Sequence, residues 1–117
     1  MFGVYLRKLL FVMWSANKGV FTHIMMNVLD LKEKRYEVGV VFESEGCKLV
    51  LDYEEKANEK FEQMKNLNLI FSVCKVCSRA MGALESAERQ GLPIHEDLFG
   101  HTPLELWIKE GYEIISV

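Results

Sequence analysis

Four short apolar runs, separated by stretches with helical periodicity, constrain the fold of this 117-residue chain more than any other feature. Each run is too short for a helix and is apolar at consecutive positions, which is typical of a strand buried on both faces. The predicted strands span residues 9–14, 38–42, 69–73 and 113–117, with a very short further one at 92–94. Such strands, alternating with helices, predict an α/β fold with a mainly parallel sheet that helices cover on two sides.

The stretches between the strands each carry one apolar face. Residues 20–31 have apolar side chains at three- and four-residue spacing, and Asn17 is placed to cap that helix. Residues 77–91 show the same periodicity and close with a glycine that suits the left-handed position after a helix. Residues 102–105, Thr-Pro-Leu-Glu, have the order of a capping box with proline at the first helical position.

Composition narrows the class of protein. Half of the residues are apolar, so we expect one domain over residues 1–117 with one core. A formal charge of −3 gives no basic surface for nucleic acid, and no apolar run approaches the ~18 residues of a membrane span. Three cysteines do not make a secreted disulfide framework, so a cytoplasmic setting fits better. Large apolar side chains such as Trp14, Phe99 and Trp107 predict a homo-oligomer.

Polar and sulfur-bearing side chains follow the predicted strands. In a parallel sheet the turns that leave the carboxyl ends of the strands lie on one edge, where ligands bind. That edge would gather residues 15–17, 43–47, 74–77 and 95–101. The candidates from these turns for lining a pocket are Asn17, Glu45, Cys47, Lys75, His95 and His101.

Cys74 and Cys77 are the strongest chemical signal in the sequence. We expect both in the turn between a central strand and the first turn of a helix, where the helix dipole and free N–H groups lower the pKa of a thiol. Lys75 would add to this effect if its ammonium turned toward a sulfur. In the alternative interpretation both cysteines are small, buried core residues.

Two further interpretations of the cysteine pair stay open. Zinc needs four ligands, and Cys47, His95 or His101 could complete a set that begins with Cys74 and Cys77. Disulfide exchange of the thioredoxin type is compatible with the spacing. However, the pair lies late in the chain, and Lys-Val replaces the usual small or proline-containing insert.

The order of these features resembles the DsrE/DsrF-like family of small sulfur-relay proteins. The matching segments are a Val-Phe-Glu strand that leads into residues 43–47, an apolar strand that ends in residues 74–77, and the helix, Glu-Gly turn and strand over residues 104–116. The helix after the cysteines has Met81-Gly82 where the family often has Arg-Gly.

The resemblance implies a three-layer α/β/α domain with a mainly parallel five-stranded sheet, usually in a homo-oligomer. It also implies that Cys74 carries sulfur as a persulfide and that Cys77 occupies the second position of paired-cysteine members. On this basis we predict a sulfur-relay protein, a candidate sulfurtransferase without a cofactor, that moves sulfane sulfur from a donor to an acceptor protein. The alternative is a non-catalytic binding or scaffold subunit whose cysteines hold zinc or pack structurally beside a small-ligand pocket.

Overall fold

The computed structural model describes residues 6–117, and its centre is a five-stranded sheet. The strands are β1 (Lys8–Met13), β2 (Glu37–Phe42), β3 (Ile70–Cys74), β4 (Ile94–His95) and β5 (Tyr112–Ser116). Their spatial order is β4-β3-β2-β1-β5, and each neighbouring pair is parallel. The predicted α/β fold is therefore confirmed, although the short fourth strand begins at Ile94 rather than at residue 92.

Helices fill the connections between these strands. They are α1 (Lys18–Glu33), a 3₁₀ turn (Ser44–Cys47), α2 (Lys48–Glu55), α3 (Glu59–Asn66), α4 (Lys75–Ala80), α5 (Leu84–Arg89) and α6 (Glu105–Ile108). The crossovers from β1 to β4 all step in one direction along the sheet, so right-handed connections put α1 to α5 on one face. The last connection returns across the sheet to β5, which puts α6 on the opposite face.

The two faces of the sheet bury cores of unequal size. Under α1, α2 and α3, four aromatic rings pack with centroids 5.0–6.4 Å apart: Phe21, Phe42, Tyr53 and Phe61. On the other face a smaller group packs against the α6 region: Leu10, Val12, Val41, Leu104 and Trp107. The third layer of this α/β/α arrangement is thus one short helix with its flanking loops.

The stretch from residue 77 to 91 is two helices rather than the single helix that its periodicity predicts. Gly82 lies between α4 and α5 with a φ of +70°, a conformation that side chains disfavour and glycine adopts readily. Its N–H donates to the Arg79 carbonyl at 3.1 Å, and the Ala83 N–H donates to the Ser78 carbonyl at 2.7 Å. These two bonds form a Schellman motif, which ends α4 after six residues.

The capping box predicted at residues 102–105 is also not formed. The Thr102 side chain is buried, and its Oγ1 lies 3.0 Å from the Oγ of Ser72 in β3. A buried hydroxyl needs a hydrogen-bond partner, and Thr102 provides one for Ser72 instead of capping a helix. As a result α6 begins only at Glu105 and has no side-chain cap.

Asn17 caps α1 as predicted, because its Oδ1 accepts the Val20 N–H at 2.9 Å. We expect Asn17→Ala to lower the free energy of unfolding by about 1 kcal/mol, measured by urea denaturation, since a helix N-terminus loses that much with its cap. Asn27→Ala is the matched control, because Asn27 is exposed in the middle of the same helix. An equal loss of stability in both variants would contradict this role.

Among residues 6–117, no helix has both the length and the apolar composition that crossing a membrane requires. Three methionines, Met13, Met25 and Met64, are buried in the core, whereas Phe99 is 93% exposed. Self-association through the remaining exposed apolar side chains stays a prediction.

Candidate metal centre

Four side chains converge at the carboxyl ends of β2 and β3: those of Glu43, Cys74, Cys77 and His101. One potential ligand atom from each lies within 4.8 Å of the other three. The Nδ1 of His101 is 3.2 Å from the Sγ of Cys74 and 3.5 Å from the Sγ of Cys77. The Oε2 of Glu43 is 3.6 Å from the Cys77 Sγ and 4.0 Å from the His101 Nδ1.

These separations are close to those of a tetrahedral metal site. Zinc bonds of about 2.0–2.3 Å imply ligand-to-ligand distances of roughly 3.3–3.8 Å in a regular tetrahedron. The two Cys–His distances and the Glu–Cys distance fall in or next to that range, and the Glu43–His101 distance is slightly longer. Thiolate sulfur, imidazole nitrogen and carboxylate oxygen are all zinc ligands. The four groups could therefore bind a metal ion with small adjustments.

The cysteine pair and the glutamate are placed by the ends of two adjacent strands. Cys74 is the last residue of β3, and Cys77 lies in the first turn of α4. Glu43 follows β2 directly, and its N–H donates to the Met13 carbonyl at 3.0 Å, which ties it to the end of β1. Strand register therefore brings Glu43 and Cys74 to one edge, and the first turn of α4 places Cys77 beside them.

His101 reaches the same point from a tight turn. The N–H groups of Leu98 and His101 each donate to the carbonyl of the other, at 3.0 and 2.8 Å. The two residues between them, Phe99 and Gly100, have φ values of +50° and +91°, as a type I′ turn requires. Glycine suits this conformation, whereas phenylalanine rarely adopts it. The turn sets the position at which the His101 imidazole enters the site.

Two contacts join this turn to the cysteine segment. The Val76 N–H donates to the Gly100 carbonyl at 3.1 Å, and the Lys75 ammonium pairs with the Glu96 carboxylate at 2.9 Å. The condition under which Lys75 would lower the pKa of a thiol, an ammonium turned toward a sulfur, is therefore not met. The ammonium instead holds the loop that carries His101.

His95 lies outside the cluster and helps to hold the loop that carries His101 against β3. Its Nδ1 is 2.7 Å from the Ser72 Oγ, which in turn is 3.0 Å from the Thr102 Oγ1. Residues 95 and 102 flank the loop, so this hydrogen-bonded chain attaches both ends of the loop to β3.

Glu45 and Cys47, which were also predicted to line the pocket, lie outside the cluster of four side chains. Glu45 is exposed in the 3₁₀ turn. Cys47 is fully buried, with its thiol 3.4 Å from the Phe42 carbonyl oxygen and 3.9 Å from that of Cys74. Burial raises the pKa of the Cys47 thiol, so it stays protonated. Glu43, which the pocket prediction missed in favour of Glu45, could have been found by its position directly after β2.

The electrostatics of Cys74 differ from the sequence-based expectation. Burial raises the pKa of Cys74 to about 12. A hydrogen bond from the Cys77 backbone lowers this pKa by less than burial raises it, and the neighbouring Glu43 carboxyl raises it further by a smaller amount. The lowered pKa expected at a helix N-terminus is thus not found, because desolvation raises the pKa of Cys74 more than the N-terminus of the short helix α4 lowers it. A cation bound between these groups would remove the proton from a coordinating thiol.

A cavity of about 390 Å³ opens beside the four side chains. Glu43 and His101 belong to both the cluster and the cavity wall, and the other lining residues are Trp14, Leu98, Phe99, Thr102 and Leu104. A larger cavity of about 560 Å³, near Lys65 and Gln90, contains none of the four. We favour the smaller cavity as the functional one because it adjoins the reactive groups.

Comparison with known proteins identifies relatives without assigning an activity. No protein-family model matches the chain. The uncharacterized protein MJ0733 of Methanocaldococcus jannaschii is 31% identical over 106 residues, which cover 88% of this chain and 84% of that protein. A conserved protein of unknown function from Bacteroides thetaiotaomicron, BT1422, has a similar structure, with a TM-score of 0.72, 18% identity and coverage of 94% of this chain and 95% of its own. The second similarity supports the fold alone.

Proposed function

This chain belongs to the same family as the uncharacterized protein MJ0733, and from the geometry of its site we propose that it binds a zinc ion through Cys74, Cys77, His101 and Glu43. The observation that carries the proposal is the convergence of four donor atoms within 4.8 Å of one another, at spacings near those of a tetrahedron.

The composition of the ligand set favours zinc among the common metals. Two sulfurs and an imidazole select a soft or borderline ion, whereas magnesium and calcium prefer oxygen ligands. A tetrahedral arrangement of mixed sulfur, nitrogen and oxygen donors is typical of zinc. Two of the four ligands also come from one Cys-x-x-Cys segment, a spacing that is typical of zinc sites.

The burial of Glu43 gives independent support. Its side chain is 4% exposed, and within residues 6–117 its ion-pair partner is His101, at 4.0 Å, with no lysine or arginine beside it. A buried carboxylate is costly unless a cation or strong hydrogen bonds compensate its charge. A metal ion at the centre of the cluster would supply that compensation.

The direct test is the metal content of the purified protein. After expression with added zinc and extensive dialysis, we expect about one zinc ion per chain by elemental mass spectrometry. Cys77→Ser should lose the metal, and Cys47→Ala, which removes a thiol outside the ligand set, should keep it. Circular dichroism would establish that both variants fold. Equal zinc in Cys77→Ser and the unaltered protein would refute the proposal.

Sulfur transfer through Cys74 is a second candidate function, favoured by the 3.2 Å distance between its Sγ and the His101 Nδ1. His101 would accept the thiol proton, and the Cys74 thiolate would attack the outer sulfur of a donor persulfide and release the donor thiolate. An acceptor thiolate would then take that sulfur and restore the Cys74 thiolate. Incubation of metal-free protein with a persulfide donor should add about 32 mass units, one sulfur atom, to the Cys74 peptide if this function holds.

Metal binding has the stronger support because Cys74 is fully buried and its pKa is raised, which disfavours attack on an external donor. Both functions require reduced thiols, and the cysteines of the structure are free. Either function is therefore consistent with a reducing compartment such as the cytoplasm. Donor and acceptor proteins would be partners only under the second function.

A further inference from the structure

We propose that Glu43 is the exchangeable ligand of the metal centre, and that the adjoining cavity binds a small apolar thiol whose sulfur takes the place of the Glu43 carboxylate. The inference rests on the proposed metal centre and names the class of ligand that this centre would accept.

Its place in the cavity wall separates Glu43 from the two cysteines, and its oxygen donor separates it from His101, which also lines the cavity. The two distances measured to its Oε2, 3.6 and 4.0 Å, are longer than both sulfur-to-nitrogen distances in the cluster, 3.2 and 3.5 Å. Glu43 is also the single oxygen donor in a set with two sulfurs. It lies in the cavity wall, whereas neither cysteine lines the cavity. A ligand that enters the cavity therefore meets Glu43 before it meets the sulfurs.

The cavity selects an apolar body for that ligand. Apart from Glu43 and His101, its walls are formed by Trp14, Leu98, Phe99 and Leu104, together with Thr102, whose hydroxyl is already paired with Ser72. A volume of about 390 Å³ is within the range of small-molecule sites. The polar end of a bound molecule would consequently face Glu43 and His101, and its apolar part would contact the remaining walls.

The chemistry of the exchange favours a thiol as the polar end. With a metal bound by these residues, an incoming thiol sulfur would take the place of the Glu43 oxygen, and the released Glu43 carboxylate would accept the thiol proton. The charge of the site is unchanged, and a hard oxygen donor is replaced by a soft sulfur donor, which a thiolate-rich site prefers. A carboxylate ligand would exchange oxygen for oxygen and has no proton to give, so it should gain little.

Cobalt(II) in place of zinc makes this exchange visible, because thiolate-to-cobalt absorption reports the number of sulfur ligands. We expect benzyl mercaptan to increase this absorption while the strong visible bands of tetrahedral cobalt persist. Phenylacetate, which has the same apolar body with a carboxylate, and 2-mercaptoethanol, which lacks the apolar body, should bind far more weakly. Desalting after the titration should show that cobalt stays on the protein.

Phe99→Ala tests the cavity without touching a ligand. Phe99 is 93% exposed, so its loss should not disturb folding, and the variant should bind benzyl mercaptan about three- to tenfold more weakly, as expected for one lost aromatic contact. Leu67→Ala is the matched control, because Leu67 is also exposed, at 47%, and does not line the cavity.

The outcomes separate the two proposals. Failure of the unaltered protein to bind cobalt would overturn the metal centre and, with it, the exchange. Cobalt binding with no response to benzyl mercaptan would overturn the exchange alone. Three other results would also overturn the exchange alone. The first is a weakening of the visible bands, which would indicate that the thiol binds as a fifth ligand beside Glu43. The others are extraction of the cobalt by the thiol and an equal response to all three compounds.

Discussion

Zinc is expected to raise the melting temperature of the metal-free protein by roughly 10 °C, and His101→Asn is expected to abolish that rise. An ion that binds only the folded chain at about 100 times its dissociation constant adds about 2.7 kcal/mol to the free energy of unfolding. For a domain of this size each kcal/mol corresponds to a few degrees. The His101 side chain is 44% exposed, so replacing it should remove a ligand without opening a cavity in the core.

His23→Asn is the matched control for this measurement. His23 lies exposed on α1 and takes no part in the cluster, so the variant should keep the full rise with zinc. A differential scanning experiment with and without zinc compares the three proteins. A rise in His101→Asn as large as that in the control would show that zinc stabilises the protein from another site.

The second large effect concerns the relative reactivity of the two thiols. In metal-free protein near neutral pH we expect iodoacetamide to modify Cys77 at least about tenfold faster than Cys74. Cys74 is fully buried, and burial raises the pKa of its thiol to about 12, so little of it is thiolate near neutral pH. Cys77 is only half-buried. This order differs from what the family resemblance implies, in which Cys74 is the thiol that carries sulfur.

Timed labelling with peptide mapping measures both rates in one experiment. Labelling in denaturant is the control, because unfolding removes the burial and should bring the two rates together. Zinc should slow both cysteines of the folded protein if both are ligands. Faster modification of Cys74 in the folded, metal-free protein would show that its sulfur is more accessible than the structure indicates.

Local patterns in the sequence were sufficient to predict most of the fold. The strands were predictable because two-sided apolarity is a property of five or six consecutive residues. The Asn17 cap was predictable because it depends only on the three residues that follow Asn17. Parallel pairing followed from the alternation of strands and helices. The same reasoning put the Cys-x-x-Cys segment at the carboxyl edge of the sheet, where the structure has it.

Which side chains complete the site was decided only by tertiary contacts. His95 and His101 are equivalent candidates in the sequence, but the buried hydroxyl of Ser72 binds His95, and the type I′ turn directs His101 to the sulfurs. The pKa of Cys74 depends in the same way on burial by residues distant in the chain. Sequence periodicity describes neighbours along the chain, whereas coordination and desolvation depend on neighbours in space, and these exist only once the loop after β4 has folded against β3.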